Sequence, residues 1–395
     1  MEFQVNEIRE AIAALPALQQ PEWSDHPELP HVLRELENSA PLVTAADIGE
    51  LAGHLAEAAA GRIQVVQAGD CAEDLAESNP YDVARKAALL EVLAGTMTMA
   101  SGLPVLRVGR LAGQYGKPRS RPTETLNGRE LPVYRGPAVN SAEPDPLLRR
   151  PDPARLLHAH QAARRVVGAL GWDRPPAVRR RISAPVWTSH EALLLDYELP
   201  LLRRRSDGSL LLGSAHWPWI GERTRQIEGP HVALLSLVSN PVACKVGPGM
   251  TPAELLALCA RLDPRRSPGR LTLIARMGAG TAAARLPALV RAVRAAGHPV
   301  LWLCDPMHGN TVSGPDGLKT RLVGTVVREV EEFQEAVSAA GGTAAGLHLE
   351  TTPDEVTECV WGSQDISVAK TKYTSLCDPR LNPAQAAAVA AAWRS

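Results

Sequence analysis

"LTLIARMGAGTAAARLPALVRAVRAAGHPVLWLCDP", residues 271–306, runs from a short apolar stretch through an alanine-rich segment into a second apolar stretch. Leu271–Ala275 and Val300–Cys304 have the length of strands and little polar alternation, the pattern of strands covered on both faces. Between them, "RLPALVRAVRAAG" repeats leucine and valine at helical spacing. Strand, helix, strand is the repeating unit of a parallel α/β sheet.

The same alternation extends outward in both directions. Eight apolar runs occur: Ile63–Ala68, Leu103–Leu111, Ala184–Ser189, Leu210–Ala215, Ala243–Gly247, Leu271–Ala275, Val300–Cys304 and Gly346–Leu349. Amphipathic segments such as "PYDVARKAALLEVLAGTMTMA" and "TPAELLALCARL" lie between them. Eight such strands predict a closed (β/α)8 TIM barrel. The alternative is a doubly wound sheet, but "GAGTAA" at 278–283 lacks an acidic partner about 20 residues on. Residues 1–60 read as an N-terminal helical extension, from "VNEIREAIAALPAL" and "AADIGELAGHLAEAAAG". Residues 61–395 read as the barrel domain, including a C-terminal loop and helix. The Pro/Arg-rich stretch from Leu131 to Arg181 reads as long loops and a helix between strands two and three.

Composition narrows the function classes. The chain has 395 residues, 45% hydrophobic and 22% charged, with a net charge of −1. That balance offers no bulk attraction to nucleic acid or an acidic surface. The N-terminus lacks the basic start and apolar core of a signal peptide. No apolar run reaches the roughly 18–20 residues needed to span a bilayer. Cysteines at 71, 244, 259, 304, 359 and 377 form no CxxC pair. In a chain of this size that implies reduced thiols and a cytoplasmic location.

Barrels carry their chemistry where strands end. Those ends supply a basic group, Arg110, Lys117, Arg119, Arg223, Lys245 and Arg276. One basic residue at a loop is ordinarily solvated surface. Six at one mouth repel each other unless anions occupy it. Arginine grips phosphate and carboxylate in bidentate fashion, so a small phosphorylated, multiply anionic ligand is expected. A second group is Cys71 in "QAGDCAED", His308 in "CDPMHGNT", Glu350 in "GLHLETT" and Asp378 in "LCDPRLNP". Each alone reads as a packing or loop residue. Together their S, N and O donors suit Mn2+, Co2+, Fe2+ or Zn2+ and suit Ca2+ poorly. The other five cysteines read as packing residues.

"QAGDCAED", "GRLAGQYGKPRS", "WIGERTRQIEGPHVALLSLVSNPVACKVGP", "DPMHGNT", "LHLETTPDEVTEC" and "LCDPRLNPAQ" closely resemble the type II 3-deoxy-D-arabino-heptulosonate 7-phosphate (DAHP) synthases. The resemblance runs from about residue 30 to the C-terminus. It implies a metal-dependent transferase that condenses phosphoenolpyruvate with erythrose 4-phosphate at the entry to the shikimate pathway. It makes Cys71, His308, Glu350 and Asp378 the metal ligands, with Mn2+ or Co2+ favoured over Zn2+, Fe2+ or Mg2+. It sets phosphoenolpyruvate against Arg110, Glu222, Arg223, Lys245 and Arg276, and the aldose phosphate against Lys117, Arg119 and Ser120. Lys117, Glu222 and Arg110 are then the catalytic candidates: Lys117 as proton donor, Glu222 orienting water. Partners implied are a second copy of the chain, in a dimer or tetramer, and a chorismate mutase.

The sequence departs from the family pattern at Ala68, "ACKVGPG" and "YRGPAVN", residues 134–140. The acid missing near Pro137 opens an alternative acceptor, an aminated aldose of an antibiotic pathway. A non-catalytic partner protein is the remaining alternative, against which all the ligands and basic residues stand intact. The segment from Arg121 to Glu222 is short, which implies a short form of secondary metabolism, little inhibited by aromatic amino acids.

Overall fold

The computed structural model describes residues 2–126, 128–174, 184–314 and 317–394. Eight strands close into a parallel barrel: β1 Gln64–Gly69, β2 Val105–Arg110, β3 Trp187–Glu191, β4 Trp217–Ile220, β5 Val242–Val246, β6 Leu271–Ala275, β7 Leu301–Cys304 and β8 Ala344–Glu350. Their order around the barrel is their order in the chain, with β8 paired to β1. Seven of the eight apolar runs are these strands.

The fourth run is a correction. Leu210–Leu212 pairs antiparallel with Leu202–Arg204 in a hairpin outside the barrel, and its leucines are apolar because they pack there. The fourth barrel strand is "WPWI", residues 217–220, which pairs with β3 and β5. Proline has no N–H for a ladder and reads against a central strand. Trp217 and Trp219 flank Pro218 and are fully buried.

Three helices precede the barrel: α1 Glu2–Ala13, α2 Leu29–Asn38 and α3 Ala45–Ala59. A capping box between Thr44 and Asp47 starts α3. Leu51, Leu55 and Ala58 on α3 share a buried cluster with Val65, Leu301, Leu303 and Ala345 near the strand starts. Thr343, just before β8, donates to the Ala59 carbonyl at 3.3 Å. The helix thereby covers the amino end of the barrel, and each leucine it buries is worth about 1.5–3 kcal/mol. The carboxyl end stays open.

Between β2 and β3 lie a hairpin, Thr123–Leu126 with Arg129–Pro132, and a helix, Arg155–Ala169. The last part of that expected irregular stretch, residues 175–181, falls outside the described residues. Gly136 and Ala138, on either side of Pro137, lie against the Tyr115 carbonyl, and Pro137 is not among the residues lining the cavity at the carboxyl end.

Register sets the site. Gly69, last in β1, lies level with Arg110 on β2 and Glu350 on β8. Its φ is +151°, and a Cβ there would fall 2.8 Å from the Arg110 carbonyl oxygen. Only glycine lets the three strand ends close this tightly.

Candidate active site

Past Gly69 the chain enters the buried pair Asp70 and Cys71. Lys86, from the helix Pro80–Ser101, meets the Asp70 carboxylate at 2.6 Å, and Arg380 meets its other oxygen at 2.7 Å. Two residues on, the buried Glu73 carboxylate accepts the N–H groups of Ala112, Gly113 and Gln114 at 2.8–3.0 Å. That grip holds Ala112 in a left-handed conformation, φ 67°, and directs the β2 loop toward Lys117.

Donor atoms of Cys71, Glu350 and Asp378 all lie within 4.8 Å of one another. His308 lies outside that three-residue group but borders it, with Nε2 3.4 Å from Glu350 Oε1. Asp305 faces the other ring nitrogen at 2.8 Å, which aims Nε2 into the cluster. Burial pushes His308 down to about 4, so the imidazole is neutral, the form that binds metals. Glu350 Oε1 accepts from Arg110 at 3.1 Å. Glu350 Oε2 meets the Arg321 guanidinium at 2.9 Å yet has no aligned hydrogen bond. A thiol, a neutral imidazole and two carboxylates, one with an unbonded buried oxygen, fit a borderline divalent cation. Burial raises the Cys71 thiol, and a hydrogen bond shared with Cys377 adds to the effect. The Lys117 ammonium reaches the same cluster, touching Cys71 Sγ and lying 3.0 Å from Asp378 Oδ2 and 3.5 Å from Glu350 Oε1.

Beside this cluster opens a cleft of about 750 Å³. Arg110, Lys117, Arg119, Ser120, Glu222, Arg223, Lys245, Arg276, His308, Glu350 and Asp378 line it, with Cys71 behind Lys117. Arg110 is buried, donates to His348 Nε2 at 2.6 Å and lies over the Trp219 ring at 5.3 Å. His348 passes the restraint on, donating from Nδ1 to Gln67 Oε1 at 2.6 Å. Lys245 donates to Asp305 at 2.9 Å, and burial lowers its affinity for a proton. Arg223 donates to the Ser120 hydroxyl at 2.8 Å. The six cations expected from the sequence line one cavity together with the metal donors.

The sequence profile described as the class-II DAHP synthetase family matches residues 8–172 and 167–393. The chain belongs to this family. It is 54% identical over 379 residues to the probable phospho-2-dehydro-3-deoxyheptonate aldolase of Pseudomonas fluorescens, covering 96% of this chain and 95% of that one. The phospho-2-dehydro-3-deoxyheptonate aldolase of Streptomyces coelicolor is 40% identical over 420 residues, covering 94% and 93%. The enzyme of the same name, AroG, from Mycolicibacterium smegmatis is 38% identical over 425 residues, covering 94% and 90%.

Several residues of this DAHP synthase stand at the site without having been singled out for a role from sequence. Glu191, at the end of β3, lines the cleft and is half-buried, with Oε1 itself buried and without a partner. A Cβ at Gly221 would fall 1.9 Å from that oxygen, so the glycine makes its seat. Burial raises the Glu191 carboxyl, and Lys245, Lys117, Arg110 and Arg223 pull it back. Glu222 differs: Arg225 donates twice to Oε1, at 2.8 and 3.0 Å, and the Gly247 N–H donates to Oε2 at 2.8 Å. Lys319 and Arg321 also line the cleft; their alternation in "LKTRL" was the available signal. Cys377, read as packing, contacts Cys71.

Proposed function

We propose that this chain condenses phosphoenolpyruvate with erythrose 4-phosphate and water, giving DAHP and inorganic phosphate in the first step of the shikimate pathway. The observation that carries this reading is the single cleft joining the basic wall to the Cys71–His308–Glu350–Asp378 cluster. Those four residues would hold a divalent cation, Mn2+ or Co2+ before Zn2+, Fe2+ or Mg2+. When bound, the cation supplies Lewis-acid polarisation of the aldehyde.

The chain's own groups do the rest. Arg110, Arg223, Lys245 and Arg276 hold the phosphate and carboxylate of phosphoenolpyruvate. Arg119, Ser120 and Lys117 hold the aldose phosphate end, so two mutually repelling anions are brought to bonding distance. C3 of phosphoenolpyruvate forms the new carbon–carbon bond to C1 of the aldose, drawing electrons from its double bond. The former aldehyde oxygen takes a proton, for which the Lys117 ammonium is the donor. Water adds to the electron-poor C2 and loses its proton to the Glu191 carboxylate, whose Oε1 is unengaged. The C2–O bond to phosphate then breaks, the C2 hydroxyl becomes the ketone, and its proton leaves with inorganic phosphate. Both Glu222 oxygens are engaged, so in this reading Glu222 braces the Gly247 loop beside Lys245 instead of orienting water.

The protein is proposed to work as a cytoplasmic homo-oligomer, a reading supported by family likeness; light scattering after gel filtration tests it. Among the described residues no helix is long and apolar enough to cross a membrane. The function is tested by following phosphoenolpyruvate loss with chelator-stripped protein before and after adding Mn2+ or Co2+. Metal-restored consumption, with one phosphate released per aldose, is expected. Tight phosphoenolpyruvate binding without turnover under any metal would overturn the reading.

A further inference from the structure

We propose that Arg321 is a positioning residue that sets cation affinity by bracing three ligand-bearing segments at once. The inference rests on the four-ligand reading given above. Arg321 lies on the second strand of the hairpin Thr311–Ser313 with Lys319–Arg321, which follows β7, and it is completely buried.

Its three nitrogens go in three directions. Nη2 meets Glu350 Oε2 at 2.9 Å. Nε donates to the Thr311 hydroxyl at 3.2 Å, three residues beyond His308. Nη1 donates to the carbonyl of Pro379, the residue after Asp378. One planar cation therefore touches the Glu350 carboxylate itself and the backbone or side chain adjoining His308 and Asp378. The seat of Arg321 is fixed in turn, because the Val360 N–H donates to its carbonyl at 3.0 Å and the Val323 N–H to the Val360 carbonyl at 2.8 Å.

Chemistry favours this assignment over simple packing. A buried guanidinium is costly unless its charge and donors are matched. Here the carboxylate it meets and both acceptors named above lie on, or next to, segments that carry candidate ligands. Glu350 and Asp378 repel one another, a repulsion that the Lys117 ammonium, 3.5 and 3.0 Å from them, offsets in charge. A guanidinium offers rigid, divergent donors that hold separate segments at set distances, whereas an ammonium is one flexible point of charge. Arg321 is therefore placed to aim the buried Glu350 carboxylate and to fix the backbone next to the half-buried Asp378 from the wall of the cleft. Residues that orient ligands in this way typically change metal affinity about 10–100-fold when replaced.

The test is a Co2+ titration of chelator-treated full-length protein, read by the thiolate-to-cobalt and d–d absorption bands. Wild type, Cys71→Ser, Arg321→Lys and Thr311→Val are compared, with the melting temperature of each metal-free protein as the folding control. Arg321→Lys is expected to weaken Co2+ binding about 10–100-fold and to shift the d–d bands while the metal-free protein still melts cooperatively. Thr311→Val, which removes one arm, is expected to lose a smaller part of that affinity. A folded Arg321→Lys protein with the wild-type affinity and spectrum overturns the inference. If Arg321→Lys does not fold, Thr311→Val decides it: unchanged affinity overturns the brace and weakened affinity supports it. Cys71→Ser with an unchanged affinity and spectrum would sink the four-ligand reading, and the brace with it. Loss of the thiolate band in Cys71→Ser alongside an unaltered Arg321→Lys would sink the brace alone.

Discussion

Arg110 and Glu350 meet at 3.1 Å across Gly69, one from each strand flanking β1. The contact joins the two halves of the site. Arg110 belongs to the basic wall proposed to grip anions, and Glu350 to the cluster proposed to hold a cation. Arg321 takes the opposite oxygen of the same carboxylate. Displacing any strand end here disturbs both halves together.

Gly69→Ala is the sharpest probe of that coupling. The added methyl would lie 2.8 Å from the Arg110 carbonyl oxygen, at a φ of +151° that side chains rarely adopt. Backbone strain of this kind costs about 1–3 kcal/mol, and relief requires β1 and β2 to separate. Urea unfolding should show a loss of that order, and calorimetry should show weakened binding of both phosphoenolpyruvate and Mn2+. A variant that loses stability but binds both ligands normally would contradict the coupling.

Glu191→Gln and Glu222→Gln should fail differently. The first removes a base from the water-addition step, so kcat is expected to fall about 10²–10⁴-fold with little change in phosphoenolpyruvate affinity. The second replaces an acceptor of the Gly247 N–H and the Arg225 guanidinium. It should loosen the loop after Lys245 and raise KM for phosphoenolpyruvate more than it lowers kcat. The opposite pattern in steady-state kinetics would return the water-orienting role to Glu222.

Much of this was legible in sequence because buried parallel strands are written as unbroken apolar runs. β5, β6 and β7 have almost no polar interruption. β4 was not legible, because four residues with a central proline and two tryptophans carry neither β-branched enrichment nor alternation. Strand-end residues such as Lys245 and His308 could be named from position alone. What they touch could not. Arg321 reaches Pro379 from 58 residues away, and Glu191 is distinguished from Glu222 only by which oxygen lacks a partner. Such distinctions arise from packing distances that no local pattern encodes.

Glu329 gives the fold a pH dependence of known sign. Its Oε1 accepts the N–H groups of Met277 and Gly278 at 3.0 and 2.8 Å, next to Arg276, and Asn310 donates to Oε2. Burial pushes this carboxyl from the ordinary 4.5 up to about 8. Between those values the folded protein keeps a proton that the unfolded chain has lost. Its contribution to stability is therefore full below pH 4.5 and is lost as pH rises through about 8. Urea midpoints measured from pH 5 to 8.5 should fall less steeply for Glu329→Gln than for wild type. Parallel slopes would remove Glu329 as the cause.

The N-terminal segment is expected to tune the aldose end alone. Gln19 holds a left-handed φ of 64°, and its side-chain oxygen accepts the Arg119 N–H at 2.8 Å. Arg135 donates to the carbonyls of Gln19 and Gln20 at 3.0 and 3.2 Å, while its own carbonyl accepts the Lys117 N–H at 2.8 Å. The strap thus steadies the "KPRS" loop from outside the barrel without reaching Arg110, Lys245 or Arg276. Gln19→Ala removes one hydrogen bond, about 1 kcal/mol, or roughly a fivefold rise in KM for erythrose 4-phosphate. KM for phosphoenolpyruvate should stay near its wild-type value. Gln19→Gly removes the same amide but relieves the left-handed backbone, so it should be more stable than Gln19→Ala by more than about 1 kcal/mol and show the same raised KM. If both variants keep the wild-type KM for the aldose, the strap serves stability only. If both Michaelis constants rise together, its influence extends beyond the aldose loop to the whole cleft.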